Sequence, residues 1–194
     1  MKKALASMLF FLTTAAAVHA AYPEKAVTMI VPFPAGGSTD MVARTMGANL
    51  TEKLGQTFVI DNRPGATGSI GAGIVKRAAP DGYTLLVASI AVWAVNPYLQ
   101  KNLPYDPAKD FDLLTIAVRA PNVLVVHPSI PGTGVADLIS YMKKNPGKVT
   151  FASSGAGSSD HLTAELFWQK TGTSAVHVPY KGGAPAGIDL VGGH

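Results

Sequence analysis

The chain has 194 residues, 16 Lys and Arg against 12 Asp and Glu for a formal charge of +4, and no cysteine. A weak positive excess without a Lys/Arg cluster argues against a nucleic-acid binder, and the lack of thiols excludes disulfides and thiolate zinc sites. The core must therefore carry stability alone, as is ordinary above about 80 residues.

Lys2 and Lys3 precede an apolar stretch, Ala4 to Val18, which ends in Val18-His19-Ala20 before the polar Ala21-Tyr22-Pro23. That is the layout of a secretory signal peptide, residues 1–20, with cleavage expected after Ala20. Read instead as a membrane span, the stretch falls short of the roughly 20 apolar residues a bilayer needs and contains two threonines. Removing residues 1–20 takes two lysines and leaves 14 basic against 12 acidic residues, a charge of +2.

A strand is expected at Val27 to Pro32, then a helix on which Val42, Met46, Leu50 and Leu54 recur at helical spacing until Gly55 stops it. Thr57 to Asn62 reads as a second strand, followed by "RPGATGS" and a helical "IGAGIVKRA". Tyr83 to Ser89 reads as a third, followed by a helix around Ala91 to Leu99. Strands alternating with helices imply a mostly parallel sheet with helices on its faces. From Phe111 to Ile130 two extended runs, "FDLLTIAV" and "NVLVVHPSI", flank Ala120-Pro121, where a domain crossover is expected. A helix striped with Val135, Leu138, Ile139 and Met142 then runs to Asn145-Pro146-Gly147. Val149 to Ala152 is a strand feeding "SSGAGSSD" and a helix bearing Leu162, Leu166 and Phe167 that stops at Gly172. Val176 to Tyr180 leads into "KGGAPAG" and a further helix start. The pattern divides the chain into a first lobe, 21–120, and an incomplete second lobe, 121–194.

Loops leaving the C-terminal ends of parallel strands share one edge, and the helices that start there aim their amides into a crevice suited to an anion. The sequence lacks G-x-x-x-x-G-K-[ST] and a first-turn G-x-G-x-x-G, so nucleotide phosphates are not the expected anion. Taken singly, each loop also reads as turn chemistry: Gly36-Gly37 reverses the chain, Ser38 or Thr39 caps the helix, and Asp40 pairs with Arg44 at i+4. Ser158-Ser159-Asp160-His161 holds the residue types of a hydrolytic triad, but neighbours at one helix start splay apart and no G-x-S-x-G elbow is present. His127, His177 and His194 lack metal-ligand spacing, so neither metal nor cofactor is expected.

"VPFPAGGSTDMVAR", "NRPGATGSIGA", "PDGYTLLVAS", "NPGKVTFASSGAGSSDHLTAELF" and "HVPYKGGAPA" together resemble the Bug, or TctC-like, family of extracytoplasmic solute-binding proteins of tripartite tricarboxylate transporters. The resemblance runs from about Tyr22 to His194. It implies an α/β, two-lobed periplasmic-binding-protein fold with mixed, mostly parallel sheets, a small organic acid as ligand, a membrane permease as partner, a periplasmic location and no enzymatic activity. Carried over by position, the ligand-binding residues are Phe33, Ala35, Gly36, Gly37, Ser38, Thr39 and Asp40 in the first loop and Gly65, Ala66, Thr67 and Gly68 in the second. From the other lobe come Ser154, Gly155, Gly157, Ser158, Ser159 and His161, then Tyr180, Lys181, Gly182 and Gly183. Asp160 puts an acid beside the cleft, where it either disfavours a highly charged ligand or serves as a cap. Family members continue past the "GGH" point, so the 194-residue chain reads as truncated, with apolar faces bearing Val42, Met46 and Leu166 partly wet. Two alternative functions remain at this stage: a sensor partner that presents its bound acid to a receptor, and a serine hydrolase using Ser158 or Ser159 with His161.

Overall fold

The computed structural model describes residues 22–194; the expected signal peptide lies outside the described residues. The first lobe is a three-stranded sheet of order β2-β1-β3, with β1 at Val27–Val31, β2 at Phe58–Asn62 and β3 at Thr84–Leu86. Both pairings are parallel, β1 facing β2 from Val27↔Phe58 to Val31↔Asn62 and β3 from Thr28↔Thr84 to Ile30↔Leu86. β1 is the central strand, which is why its sequence VTMIV is apolar at every position but Thr28 rather than alternating.

Helix α1, Ser38–Leu54, crosses from β1 to β2, and α2, Ser69–Lys76, crosses from β2 to β3. The inward face of α1 differs from the expected Val42/Met46/Leu50/Leu54 stripe. Its buried positions are Asp40, Ala43 and Gly47, while Met46 and Leu50 lie at the margin of the core and Leu54 is 43% exposed. The helix sits so close to β2 that a Cβ on Gly47 would come within 3.1 Å of Ile60 Cδ1, so small residues occupy the line of closest approach. After β3 a π-helical turn, Ala91–Val95, runs into the short helix α3, Asn96–Leu99.

The second lobe pairs β4, Thr150–Ser153, with β5, Val176–Pro179, again in parallel. Helix α4, Val135–Lys144, precedes β4; α5, Ser159–Thr171, joins the two strands; α6, Gly183–Gly192, follows β5. Its core gathers Leu138 and Met142 of α4 with Ala164 and Trp168 of α5. Of the expected Leu162, Leu166 and Phe167, only Phe167 packs against this core, while Leu162 and Leu166 point outward at 40% and 53% exposure. Both α1 and α5 stop at a glycine in the left-handed conformation, Gly55 and Gly172, as the sequence led us to expect. Every strand pairing among the described residues is parallel. From Gln100 to Gly134 the chain has neither helix nor strand, and the two apolar runs of the crossover lie open, Leu114 and Val123 each at 77% exposure.

Candidate functional site

β1, β4 and β5 each deliver a loop that opens directly into a helix, so the N-termini of α1, α5 and α6 reach one edge. Between them lies a cavity of about 70 Å³, lined by Gly37, Ser38 and Thr39 of α1, Ser158 and Ser159 of α5, Gly182 and Gly183 of α6, and Ser89 beyond β3. Phe33, Pro34 and Ser154 complete this lining and are shared with a larger compartment of about 200 Å³. The larger compartment is walled by Pro32, Pro64, Gly65, Ala66, Thr67 and Gly68 from the first lobe and Gly155, Ala156, Pro179, Tyr180 and Lys181 from the second. The two form one cleft between the lobes. Lys181 is the one cationic side chain on either lining, and no carboxylate lines either compartment.

The helix starts are suited to an anion because their first-turn amides have no intrahelical acceptors. Gly37 is the N-cap of α1, one residue before the expected Ser38 or Thr39, so those hydroxyls stand on the cavity wall instead of capping the helix. Gly182 caps α6 without a side-chain bond, and Ser158 caps α5 by accepting from the His161 N–H at 3.4 Å.

The two acids next to these helix starts both accept from protein donors. Asp40 is only 2% exposed, and its carboxylate accepts from the Gly36 N–H, Arg44 Nε and Asn62 Nδ2, each at 2.9 Å. Burial pushes its pKa upward, but the bonds from Arg44, Gly36 and Asn62 outweigh it and hold the group down at about 2. The Asp40–Arg44 pair expected at i+4 is present, at 2.9 Å. Asp160 repeats the device in the second lobe, accepting from the Ser154 N–H and Ser154 Oγ, both at 2.7 Å. Its burial is likewise outweighed by hydrogen bonds from its own loop, which lower its pKa.

His161 lies behind the wall and lines neither compartment. Its Nδ1 accepts from the Gly157 N–H at 3.0 Å, and its ring stacks on His177 with centroids 3.9 Å apart and planes 11° from parallel. Burial and the neighbouring His161 both lower the pKa of His177, whose Nε2 is 2.6 Å from Ser153 Oγ. Ser158 Oγ donates to the Gly155 carbonyl at 2.6 Å and Ser159 Oγ to Asn122 Oδ1 at 3.4 Å, and neither is paired with a ring nitrogen of His161, so the residues of the hydrolase alternative do not assemble a nucleophile and base. Tyr180 donates its phenol to Asp189 at 2.5 Å, which raises its pKa and ties the β5 loop to α6.

Of the residues carried over from the resemblance, Phe33, Gly37, Ser38, Thr39, Gly65 to Gly68, Ser154, Gly155, Ser158, Ser159 and Tyr180 to Gly183 line the cleft. Ala35, Gly36, Asp40, Gly157 and His161 lie outside the lining, and four of them brace loops: Gly36 through Asp40, and Gly157 through His161. Sequence reasoning passed over Pro32, Pro34, Pro64, Ala156, Pro179 and Ser89. Ser89 was within reach, because it ends the third strand as read from the sequence, although β3 itself stops at Leu86.

Two parallel α/β lobes with a cleft at the carboxyl ends of their strands form the architecture of the periplasmic-binding-protein fold. The chain belongs to the TctC family: the model described as "Tripartite tricarboxylate transporter family receptor" matches residues 42–194. It is 42% identical to Protein BugT of Bordetella pertussis (strain Tohama I) over 198 residues, covering 100% of this chain and 61% of that protein. Among solved structures it resembles "R. palustris Rpa4515 with adipate", with a TM-score of 0.87 and 45% identity over 89% of this chain and 57% of that one. It also resembles MatC (Rpa3494) from Rhodopseudomonas palustris with bound malate, with a TM-score of 0.81 and 33% identity over 89% of this chain and 58% of the other. The chain thus spans about three fifths of the length of these relatives. No helix among the described residues is long and apolar enough to cross a membrane, and those residues hold no cluster of three or more His, Asp or Glu able to bind a metal ion.

Proposed function

We propose that the protein is an extracytoplasmic receptor that captures a small organic carboxylate between its lobes and delivers it to the membrane permease of a tripartite tricarboxylate transporter. The observation that carries this reading is the convergence of three helix N-termini, α1, α5 and α6, on one small cavity with no carboxylate of its own. Each N-terminus stabilises a negative group by about 0.3–1 kcal/mol through the helix dipole, and each charge-assisted hydrogen bond adds about 1.5–3 kcal/mol. Two or three such bonds from each lobe reach about the −8.2 kcal/mol of a micromolar complex once ordering costs are subtracted.

In this reading one carboxylate sits against the Gly37 to Thr39 and Gly182-Gly183 backbone with the Ser158 and Ser159 hydroxyls. The body of the acid lies in the larger compartment among Phe33, Gly65, Ala66, Thr67 and Gly68, where Lys181 meets a second negative group. The adipate and malate in the similar structures are acids of this size and charge. No side chain of the cleft is set up for chemistry, so the ligand leaves unchanged. Export follows from the expected leader, cut after Ala20.

Calorimetry with adipate, malate and citrate, with hexane-1,6-diol as the uncharged counterpart of adipate, tests the reading. At least one acid should bind at micromolar concentration, and the diol should not. Equal binding of the diol, or no heat from any acid together with no shift in thermal stability, would sink it.

A further inference from the structure

The turn after β2 carries an observation that anion binding does not use. Ala66 and Thr67 both adopt positive φ, 46° and 51°, although neither is glycine. L side chains rarely enter this region, and two in succession persist only when surrounding groups hold them there. Two side-chain amides hold them. Gln100 Nε2 donates to the Ala66 carbonyl at 3.1 Å, and Asn96 Nδ2 donates to the Thr67 carbonyl at 3.0 Å. Asn96 is 1% exposed, and the same nitrogen lies 3.1 Å from Ser69 Oγ and 3.3 Å from the Tyr105 hydroxyl. Ser69 Oγ in turn donates to Gln100 Oε1 at 2.9 Å, and Tyr105 donates to the Val92 carbonyl at 2.7 Å. Asn96 sits where the π-helical turn passes into α3, the kind of helix irregularity that often marks a functional position.

The outcome of this arrangement is a contact between lobes. Thr67 Oγ1 donates to the Ala156 carbonyl at 2.8 Å, across 89 residues of sequence. Among the described residues it is the one hydrogen bond joining the part of the chain before the crossover to the part after it, and no ion pair spans that divide. Elsewhere the lobes meet at bare backbone: a Cβ on Gly157 would lie 2.6 Å from Leu99 Cδ1, and one on Gly182 would lie 2.8 Å from Pro34 Cδ. Such contacts permit close approach but do not fix an orientation; a hydrogen bond does.

We propose that Thr67 is the latch of the closed cleft and that Asn96 is the positioning residue that makes it one. The buried Asn96–Ser69–Gln100–Tyr105 network holds the left-handed turn so that the Thr67 hydroxyl reaches Ala156 when the lobes come together. The consequence for affinity rests on the cleft being the ligand site; the consequence for closure does not, and the experiment separates them.

The protein contains no cysteine, so cysteines placed at the exposed Lys53 of α1 and Lys170 of α5 accept a pair of spin labels or fluorophores. The distance between them is read without ligand and with adipate. Thr67→Val should shift the distribution toward the open form, and Thr67→Ser should restore it. Adipate should leave Thr67→Val about fivefold faster, the worth of one neutral hydrogen bond. Asn96→Ala should open the cleft as Thr67→Val does, and the two changes combined should do no more than either alone, because the first acts through the second. Gln100→Ala, which frees the Ala66 carbonyl, takes the place of Asn96→Ala if that variant does not fold. A Thr67→Val distribution identical to wild type overturns the latch, and additive effects of Asn96→Ala and Thr67→Val overturn the positioning role. If wild type fails to bind adipate, the proposed ligand class is at fault while the ligand-free distances still decide the latch.

Discussion

Replacing Asp40 by Asn removes one charge and leaves nearly the same shape, so its effect can be worked out from the structure. The carboxylate is buried, accepts three hydrogen bonds, and has its pKa lowered from an ordinary 3.8 to about 2. At about 1.4 kcal/mol for each pH unit, the ionised form contributes about 2.5 kcal/mol to folding. Because the folded pKa lies below the unfolded one, that contribution is fully present above pH 3.8 and is lost as the pH falls toward 2. By pH 3, linkage places the loss at about 1 kcal/mol. Asn keeps an acceptor oxygen but turns an NH2 group toward Gly36, Arg44 and Asn62, all of which donate, so Asp40→Asn should cost about 2–3 kcal/mol at pH 7. Urea denaturation followed by circular dichroism at pH 7, 5, 4 and 3 measures it. The gap between wild type and variant should be nearly constant from pH 7 to 5 and narrow by about 1 kcal/mol at pH 3. A gap that is absent at pH 7, or as wide at pH 3 as at pH 7, would refute the assignment of Asp40 as an ionised clamp on the Gly36 loop.

Gly37→Val should fold normally, since Gly37 has an ordinary φ of −79° and its added Cβ would meet only the Pro34 carbonyl, at 3.6 Å; carboxylate affinity should fall more than tenfold with the melting temperature unchanged, as calorimetry and thermal melts would show. Gly68→Ala should instead lose about 2–3 kcal/mol of stability by denaturant titration, because it forces a side chain into φ +91° with its Cβ 2.6 Å from Val92 Cγ2. Lys181→Met should weaken adipate binding without affecting hexanoate, and the difference between the two acids should shrink as salt rises.

Much of this was legible in the sequence because the relevant signals are local. The order of strands and helices follows from short apolar runs alternating with helical spacing, and the Gly55 and Gly172 stops follow from the one residue that enters the left-handed region freely. The face of each helix was less legible. Periodicity selects the large residues, whereas α1 buries Ala43 and Gly47 because its axis approaches β2 too closely for Leu or Met. The division of the site into contact and brace was not legible at all. Asp40 and Gly37 are neighbours in one motif, and only the direction of the side chain in the folded loop separates the residue that holds the loop from the one that walls the cavity. The Asn96 network was hidden for a related reason, since Asn96 falls inside what reads as one helix, Ala91 to Leu99, and its partners lie 9 to 29 residues away.

Placing Asp40 and Asp160 beside the cavity proposed to hold an anion looks self-defeating, since two unit charges a few ångströms apart repel strongly where water is scarce. The geometry removes the conflict in two ways. Each acid faces back into its own loop, so the donors around it absorb its charge: Arg44 and two further donors for Asp40, the Ser154 amide and hydroxyl for Asp160. The amide each acid engages, Gly36 or Ser154, comes before the helix start, so neither acid takes a first-turn amide of α1 or α5; on α5 only the His161 N–H is taken, by the Ser158 cap. His161 does the same for Gly157 with a neutral ring nitrogen as acceptor. The loops are thus fixed by the amides that point away from the cleft, which pre-orients those that point into it and lowers the ordering cost of binding. α6 has no such clamp: its N-cap carries no side-chain bond, and Pro185 in its first turn has no N–H to offer. Its loop is tied instead from outside, by Tyr180 to Asp189, and it brings the one cation, Lys181, to the cleft wall. Two preset loops and one tied differently suit the proposed receptor, in which the preset pair would accept the carboxylate head and the third side would read the remainder of the acid.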